Sequence, residues 1–341
     1  VCAVKAVLAV LPLTLARTDS RRVGVVGSQV SMSQGEAGGM THVGWPPNEE
    51  DRPEDDADDH RRRLAWVLLK ASGELRIELV GEPRYGWRDR SVGARVNDDG
   101  HDGWLRLVGE PADGDVGVFW DGNATASQQL NGLRLPQVWR SWEYAERDLR
   151  FRADLMSYVD EPMCSSTAAL TAVPPLSQTW WAWLADTLAF LPGVDTDRVA
   201  VDAERFASRI GIWDTALPVD VHRWVPAHAD LHWAQLSVPG CWVLDWEGWG
   251  FAPAGFDAAS LYLHSLAVAP VARSVRARYA PELDSHDGML SQLYIARRML
   301  DRGDLDDHPA RAPLVAHAGR LLQTLGADPD SYQGLLRLPA R

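Results

Sequence analysis

Lysine is almost missing from this sequence. Lys5 and Lys70 are the only two, so 32 of the 34 basic residues are arginine, and no chemistry that depends on a lysine beyond residue 70 is available to the chain. Cysteine is also scarce. Cys2, Cys164 and Cys241 are odd in number and show no Cys-x-x-Cys spacing, which excludes a disulfide framework or a thiolate zinc site and favours a reducing, cytoplasmic compartment. Basic residues are outnumbered 34 to 47, giving a formal net charge of -13, so the electrostatic footprint of a nucleic-acid partner is lacking. The apolar stretch behind Lys5 runs for about ten residues, where a bilayer span needs ~20, so no membrane partner is expected. Residues 1–16 have the proportions of a signal peptide; the alternative is an over-extended translation start, with Met32 or Met40 as the true beginning.

What is present is a large apolar complement. Of 341 residues 46% are hydrophobic, and 16 are tryptophan, enough for two lobes with separate cores. Residues 17–62 are rich in Gly, Ser, Asp and Glu and include NEEDRPEDDADD, whose like charges oppose compaction. Residues 1–62 therefore read as a leader outside the folded part. The segment HRRRLAWVLLK predicts a helix starting near Asp58, behind acidic residues that suit its N-terminus. Three extended runs follow, LRIELV (75–80), SVGARV (91–96) and WLRLV (104–108), with NDDGHDG as a hairpin turn between the last two. Residues 149–159 predict a further strand. After Asp160 the pattern turns helical, in WWAWLADTLAFL, VDAERFASRI, FDAASLYLHSLAVAPVARSV, MLSQLYIARRML and PLVAHAGRLLQTL. Strands first and helices second predict an α+β protein of two lobes, residues 63–159 and 160–341.

The chemistry concentrates in PAHADLHWAQLSVPGCWVLDWEGWGFAPAGFDAASLY, residues 226–262. His228, Asp230, His232 and Gln235 crowd one short loop. Pro239-Gly240 makes a turn, and Asp245 and Glu247 follow the second apolar run. Closing the hairpin brings Asp230 and Asp245 together at its open end, where a divalent cation and a phosphorylated ligand fit between them. A lone aspartate after a strand more often caps a turn; the combination with His228 and the hairpin raises it above that reading. A second metal chemistry is also open: His228, Asp230 and His232 alternate, so an extended segment would point all three one way as zinc ligands of a hydrolase, with Asp245 or Glu247 as further ligand or base.

HADLHWAQL, then VLDWE, then FDAASL resembles the catalytic segment of the aminoglycoside phosphotransferase and choline kinase group, small-molecule kinases of protein-kinase-like fold whose pattern is HGDxHxxN followed by a hairpin and two further aspartates. The resemblance implies ATP and Mg²⁺ as cofactors and a small molecule with a hydroxyl as acceptor. Asp230 would take the hydroxyl proton, and Asp245 would hold Mg²⁺ with Gln235 in place of the usual asparagine. His228 would pack beneath the loop and Asp257 would cap its backbone donors. The resemblance further implies Arg106 in place of the strand lysine, Gly86 and Gly93 over the phosphates, and adenine against the backbone of Met156 to Tyr158. No glutamate lies in FWDGNATASQQL, so Gln128 or Gln129 would partner the strand cation. His232, Glu247, Trp246 and Trp249 are candidates for an acceptor pocket, and the acidic chain favours a cationic acceptor, aminoglycoside-like or an amino alcohol. The substituted lysine, glutamate and asparagine leave a catalytically impaired pseudokinase as the non-enzyme alternative.

Overall fold

The computed structural model describes residues 54–113, 116–302, 305 and 307–336. The expected leader, as far as residue 53, lies outside the described residues. Its last part does not: helix α1 runs Glu54–Leu75, four residues longer at its start than the pattern predicts, because the acidic run lies in the first turns where the helix dipole favours negative charge. Leu64, Val67, Leu68, Ala71 and Leu75 recur at helical spacing and are buried, forming the face that α1 lays on the sheet. Arg76 then turns left-handed (φ 56°) and the Ile77 N–H donates back to the Ser72 carbonyl at 3.0 Å, a Schellman-type stop. That stop shortens the expected 75–80 strand to β1, Glu78–Leu79.

The sheet continues with β2 (Arg84–Tyr85), β3 (Ser91–Asp98) and β4 (His101–Pro111), then helix α2 (Gly122–Gln129), β5 (Val138–Glu146) and β6 (Leu149–Ser157). The order is β1-β3-β4-β6-β5, with β2 also on β3. Asp99 and Gly100, both at positive φ, make the two-residue turn of the β3–β4 hairpin, which needs φ above zero at both positions. Strand alternation divides the faces. Val92, Ala94, Val96, Leu105, Leu107, Phe151, Ala153 and Leu155 share one core with α1, so Trp104, Arg106 and Asp154 point the other way.

The helical lobe contains α3 (Gln178–Phe190), α4 (Ala203–Gly211), the two-stranded β7 (Trp224–Ala227) and β8 (Gly250–Pro253), α5 (Phe256–Leu263), α6 (Ala269–Arg278), α7 (Ala280–Leu283), α8 (His286–Asp301), α9 (Arg311–Thr324) and α10 (Pro329–Tyr332). The stretch from Phe256 that reads as one helix is divided at His264–Val268, and Pro270 opens α6, a position where its missing N–H costs nothing. Trp180, Trp213, Trp233, Trp246 and Trp249 are fully buried here. Ala126 of α2 and Leu130, which caps its end, join this same core, although α2 lies in the sequence of the small lobe. The result is an α+β, two-lobed, protein-kinase-like fold. Among the described residues no helix is long and apolar enough to cross a membrane.

Candidate functional site

The predicted hairpin is present. Leu236 and Val243 form an antiparallel bridge, the Leu244 N–H donates to the Gln235 carbonyl at 2.9 Å, and Pro239-Gly240 lies at the turn. Glu161 ties the turn down, accepting from the Ser237 hydroxyl at 2.6 Å and from the Gly240 N–H at 2.8 Å. At the open end the Gln235 amide donates to the Asp245 carboxylate at 3.2 Å. His232 lies 4.0 Å from Asp230 and feels the field of both Asp230 and Asp245, so the two aspartates share one site.

The loop that carries Asp230 is fixed from below. Asp257, at the start of α5, accepts from the backbone N–H groups of His228 and Ala229, both at 2.8 Å. Burial pushes its carboxyl up, and these donors and His228 hold it down against that. His228 is buried beneath the loop: its Nε2–H donates to the Leu244 carbonyl at 2.9 Å, its Nδ1 accepts from the Asp230 N–H at 3.4 Å, and its ring packs edge-on against Trp246. Both ring nitrogens are therefore engaged with backbone, and His228, Asp230 and His232 do not assemble as zinc ligands. Among the described residues no three His, Cys, Asp or Glu side chains group to hold a metal ion.

The donors beside Asp245 suit a hard cation better. Asp245 is exposed and the buried Gln235 carbonyl oxygen has no hydrogen-bond partner; an amide half-turn brings that oxygen to the carboxylate side. An oxygen-only set of one carboxylate and one amide fits Mg²⁺, which retains waters and takes phosphate oxygens for the rest of its shell. Asp245 has left-handed backbone (φ 65°), and the following Trp246 N–H donates to the Asn123 side chain on α2 at 3.0 Å.

Arg106 reaches this segment from the sheet. Its guanidinium pairs with Glu247 and lies in the field of Asp245 and of Asp154, its cross-strand neighbour. Burial pushes the guanidinium down, and these acids oppose the shift. Gln128 and Gln129 are exposed; the acid beside Arg106 comes from the large lobe. Gly122 permits this, because a Cβ there would collide with the Glu247 carbonyl. Arg198 fastens the same seam, donating to Asp121 at 2.6 Å, to the Glu247 carbonyl at 3.1 Å, to the Trp249 carbonyl at 3.0 Å and to the Val118 carbonyl.

Several expected positions lie elsewhere in the packing. A Cβ on Gly86 would meet the Ser91 hydroxyl, and one on Gly93 would come within 2.7 Å of the Trp104 indole, so both glycines make room for the chain's own side chains. Met156 lies in two ladders, opposite Trp104 and Val138, and the Ser157 N–H donates to Gln137; of the expected hinge only Tyr158 extends past the sheet. Its ring stacks on Trp104 and carries Arg95 at 4.7 Å. Trp246 and Trp249 are core residues, 1% and 0% exposed, and their indole N–H groups donate to the Val243 and Gly122 carbonyls. They form no pocket wall. Glu247 belongs to the Arg106 side of the site.

One residue at Asp230 is unforeseen. Arg298 of α8 forms an ion pair with the Asp230 carboxylate. Burial would push that carboxyl up, but Arg298 foremost, with His232, Arg302 and His228, holds it well below the usual carboxylate range. The sequence signal is an Arg-Arg pair inside the apolar helix MLSQLYIARRML, which marks a buried charge without telling its partner.

No protein-family profile matches the sequence, and a search of curated proteins finds no match. Solved structures do resemble the fold. A thermostable mutant of aminoglycoside phosphotransferase APH(4)-Ia is 13% identical with a TM-score of 0.47, covering 73% of this chain and 96% of its own. Choline kinase LicA from Streptococcus pneumoniae is 13% identical with a TM-score of 0.45, over 77% and 99%. Aminoglycoside phosphotransferase APH(3'')-Id from Streptomyces rimosus is 14% identical with a TM-score of 0.41, over 67% and 96%. These matches assign neither substrate nor chemistry to this chain.

Proposed function

We propose that the protein is a Mg²⁺-dependent phosphotransferase that moves the γ-phosphate of ATP to a hydroxyl of a small molecule, in a reducing, cytoplasmic compartment. The observation that carries this reading is the convergence of Asp230, Gln235 and Asp245 at one hairpin mouth, with Arg106 entering from the opposite lobe. Asp230 orients the acceptor hydroxyl and takes its proton as the oxygen bonds the γ-phosphorus; the bond to the β–γ bridging oxygen breaks and ADP leaves with that electron pair. Asp245 and Gln235 hold Mg²⁺, which when bound neutralises charge on the phosphates. Arg106, kept in place by Glu247, offers its planar fork to phosphate oxygens, and adenine meets the chain at Tyr158. Asp257 and His228 keep the Asp230 loop in shape. A cationic acceptor is not retained in this reading, because Arg298 already holds the carboxylate that would receive an ammonium.

The Asp230–Arg298 pair also favours a second reading, in which nucleotide binds without turnover. Calorimetry with ATP and Mg²⁺, paired with an assay of ADP release, separates the two from one another and from a protein with no nucleotide site. Saturable, Mg²⁺-dependent binding lost in Asp245→Ala, together with ADP release that falls at least about a hundredfold in Asp230→Asn, is the expected result. Binding without any ADP release identifies the pseudokinase, and absence of binding defeats both.

A further inference from the structure

Asp230 does not face an empty acceptor side. Arg298, with its side chain 19% exposed, is set against it by α8, a helix held in the large-lobe core by Leu290, Leu293, Ile295 and Ala296 among others. The neighbouring charges of that helix end are directed elsewhere: Arg297 pairs with Asp301 and lies over Trp213, and Arg209 reaches the same Asp301 at 3.6 Å. Asp301 is thus occupied. Arg302, one helical turn beyond Arg298, acts on the same Asp230 carboxylate.

Next to this pair His232 presents a buried Nδ1 without a hydrogen-bond partner, its ring 5.7 Å from that of His264. Burial pushes both imidazoles down, so this wall brings polar N–H or lone-pair capacity without positive charge. An acceptor arriving at Asp230 therefore meets a guanidinium fork with the His232 ring beside it. An ammonium group meets a like charge already seated on the carboxylate. A carboxylate or phosphate, in contrast, matches the fork bidentately and, by drawing Arg298 to itself, leaves Asp230 free to accept the hydroxyl proton.

We infer that Arg298 receives the acceptor, and that the molecule phosphorylated here carries an anionic group adjacent to its reacting hydroxyl. The inference rests on the phosphotransferase reading for the word phosphorylated; the anion site itself does not. Arg298 would then act as specificity determinant and as latch, holding Asp230 until an anionic acceptor displaces it.

The test uses three probes on one carbon skeleton, glycerate, glycerol and aminopropanediol, titrated calorimetrically into the full chain, alone and saturated with Mg²⁺ and a non-hydrolysable ATP analogue. Glycerate is expected to bind at least about tenfold tighter than the amine, the scale of one charge-assisted pair. Arg298→Gln should weaken glycerate by about the same factor and admit the amine. Asp230→Asn releases Arg298 from its partner and should tighten glycerate binding, a gain that a poorly folded variant cannot show. Amine binding tighter than glycerate in the unmodified protein, glycerate affinity unchanged in Arg298→Gln, or no glycerate binding at all overturns the inference. Failure of the ATP analogue to bind, with glycerate still bound through Arg298, overturns the phosphotransferase reading and leaves the anion site standing.

Discussion

Arg106 on β4 and Glu247, two residues past Asp245, form an ion pair across the lobes. The acid that partners the strand cation comes from the Asp245 segment itself, so the Arg106 and Asp245 halves of the candidate site are one electrostatic unit.

Because both partners are largely buried, deleting one leaves the other uncompensated, at about 3–5 kcal/mol for fully buried pairs and less here. Glu247→Gln should lower the thermal midpoint and weaken ATP at least about tenfold, the scale of one charge-assisted hydrogen bond. The exchange of both charges, Arg106→Glu with Glu247→Arg, should recover the midpoint but not ATP affinity. Recovery of both would show that Arg106 does no more than hold the lobes.

Arg198 makes bonds to Asp121, Val118, Glu247 and Trp249 with one guanidinium. A lysine has no planar fork with which to reproduce them. Arg198→Lys should therefore destabilise the protein nearly as much as Arg198→Ala, by about 3 kcal/mol or more in denaturant unfolding. A lysine variant as stable as the parent would contradict the bonding described.

Histidine titration sets an acid limit. Burial pushes His264 down to about 3 and His317 down to about 4. His264 faces His232, Arg298 and Asp230 and donates to the Ser260 carbonyl, whereas His317 faces Arg320, Arg276, Gln292 and Tyr262. Folded-state values below the unfolded one mean that the unfolded chain takes the proton first. Stability is then fully present above about pH 6.5 and is lost as pH falls toward 4, at up to about 1.4 kcal/mol per pH unit for each histidine. Unfolding midpoints across that window should show the slope, and His317→Gln should reduce it; an unchanged slope would remove His317 from the account.

Period and punctuation made much of the architecture legible. The α1 face, the β3–β4 turn at Asp99-Gly100, β6 and most large-lobe helices follow from spacing alone. Nothing in the sequence announces strand β5, since VWRSWEYAE has charged and aromatic residues alternating on a mostly exposed edge and lacks an apolar run. In the site, the hairpin is readable from its turn and flanking apolar runs, whereas His228 under the loop and Asp257 as its cap, 29 and 28 positions from the N–H groups it accepts from, follow only from the resemblance to the kinase group. The partners of Asp230 and Arg106 follow from neither. Arg298 lies 68 positions from Asp230 and Glu247 lies 141 from Arg106, and local pattern carries no information about which charges meet across a cleft. Trp246 and Trp249 look like pocket walls beside Asp245, yet their indoles find carbonyl acceptors in the core.

Helix α2 has a mechanical meaning beyond its place in the chain. Ala126 and Leu130 are set in the large-lobe core, Asn123 holds the Trp246 backbone, and Arg198 grips the residues just before the helix. The stretch from Val118 to Leu130 is thus packed and bonded into the large lobe. The division between the two cores therefore does not coincide with residues 158–162, where the sequence changes character: this helix is built into the large-lobe core, while the sheet and α1 share the other, and the Ser127 hydroxyl, which accepts from the Val138 N–H at 2.9 Å, stitches the two together.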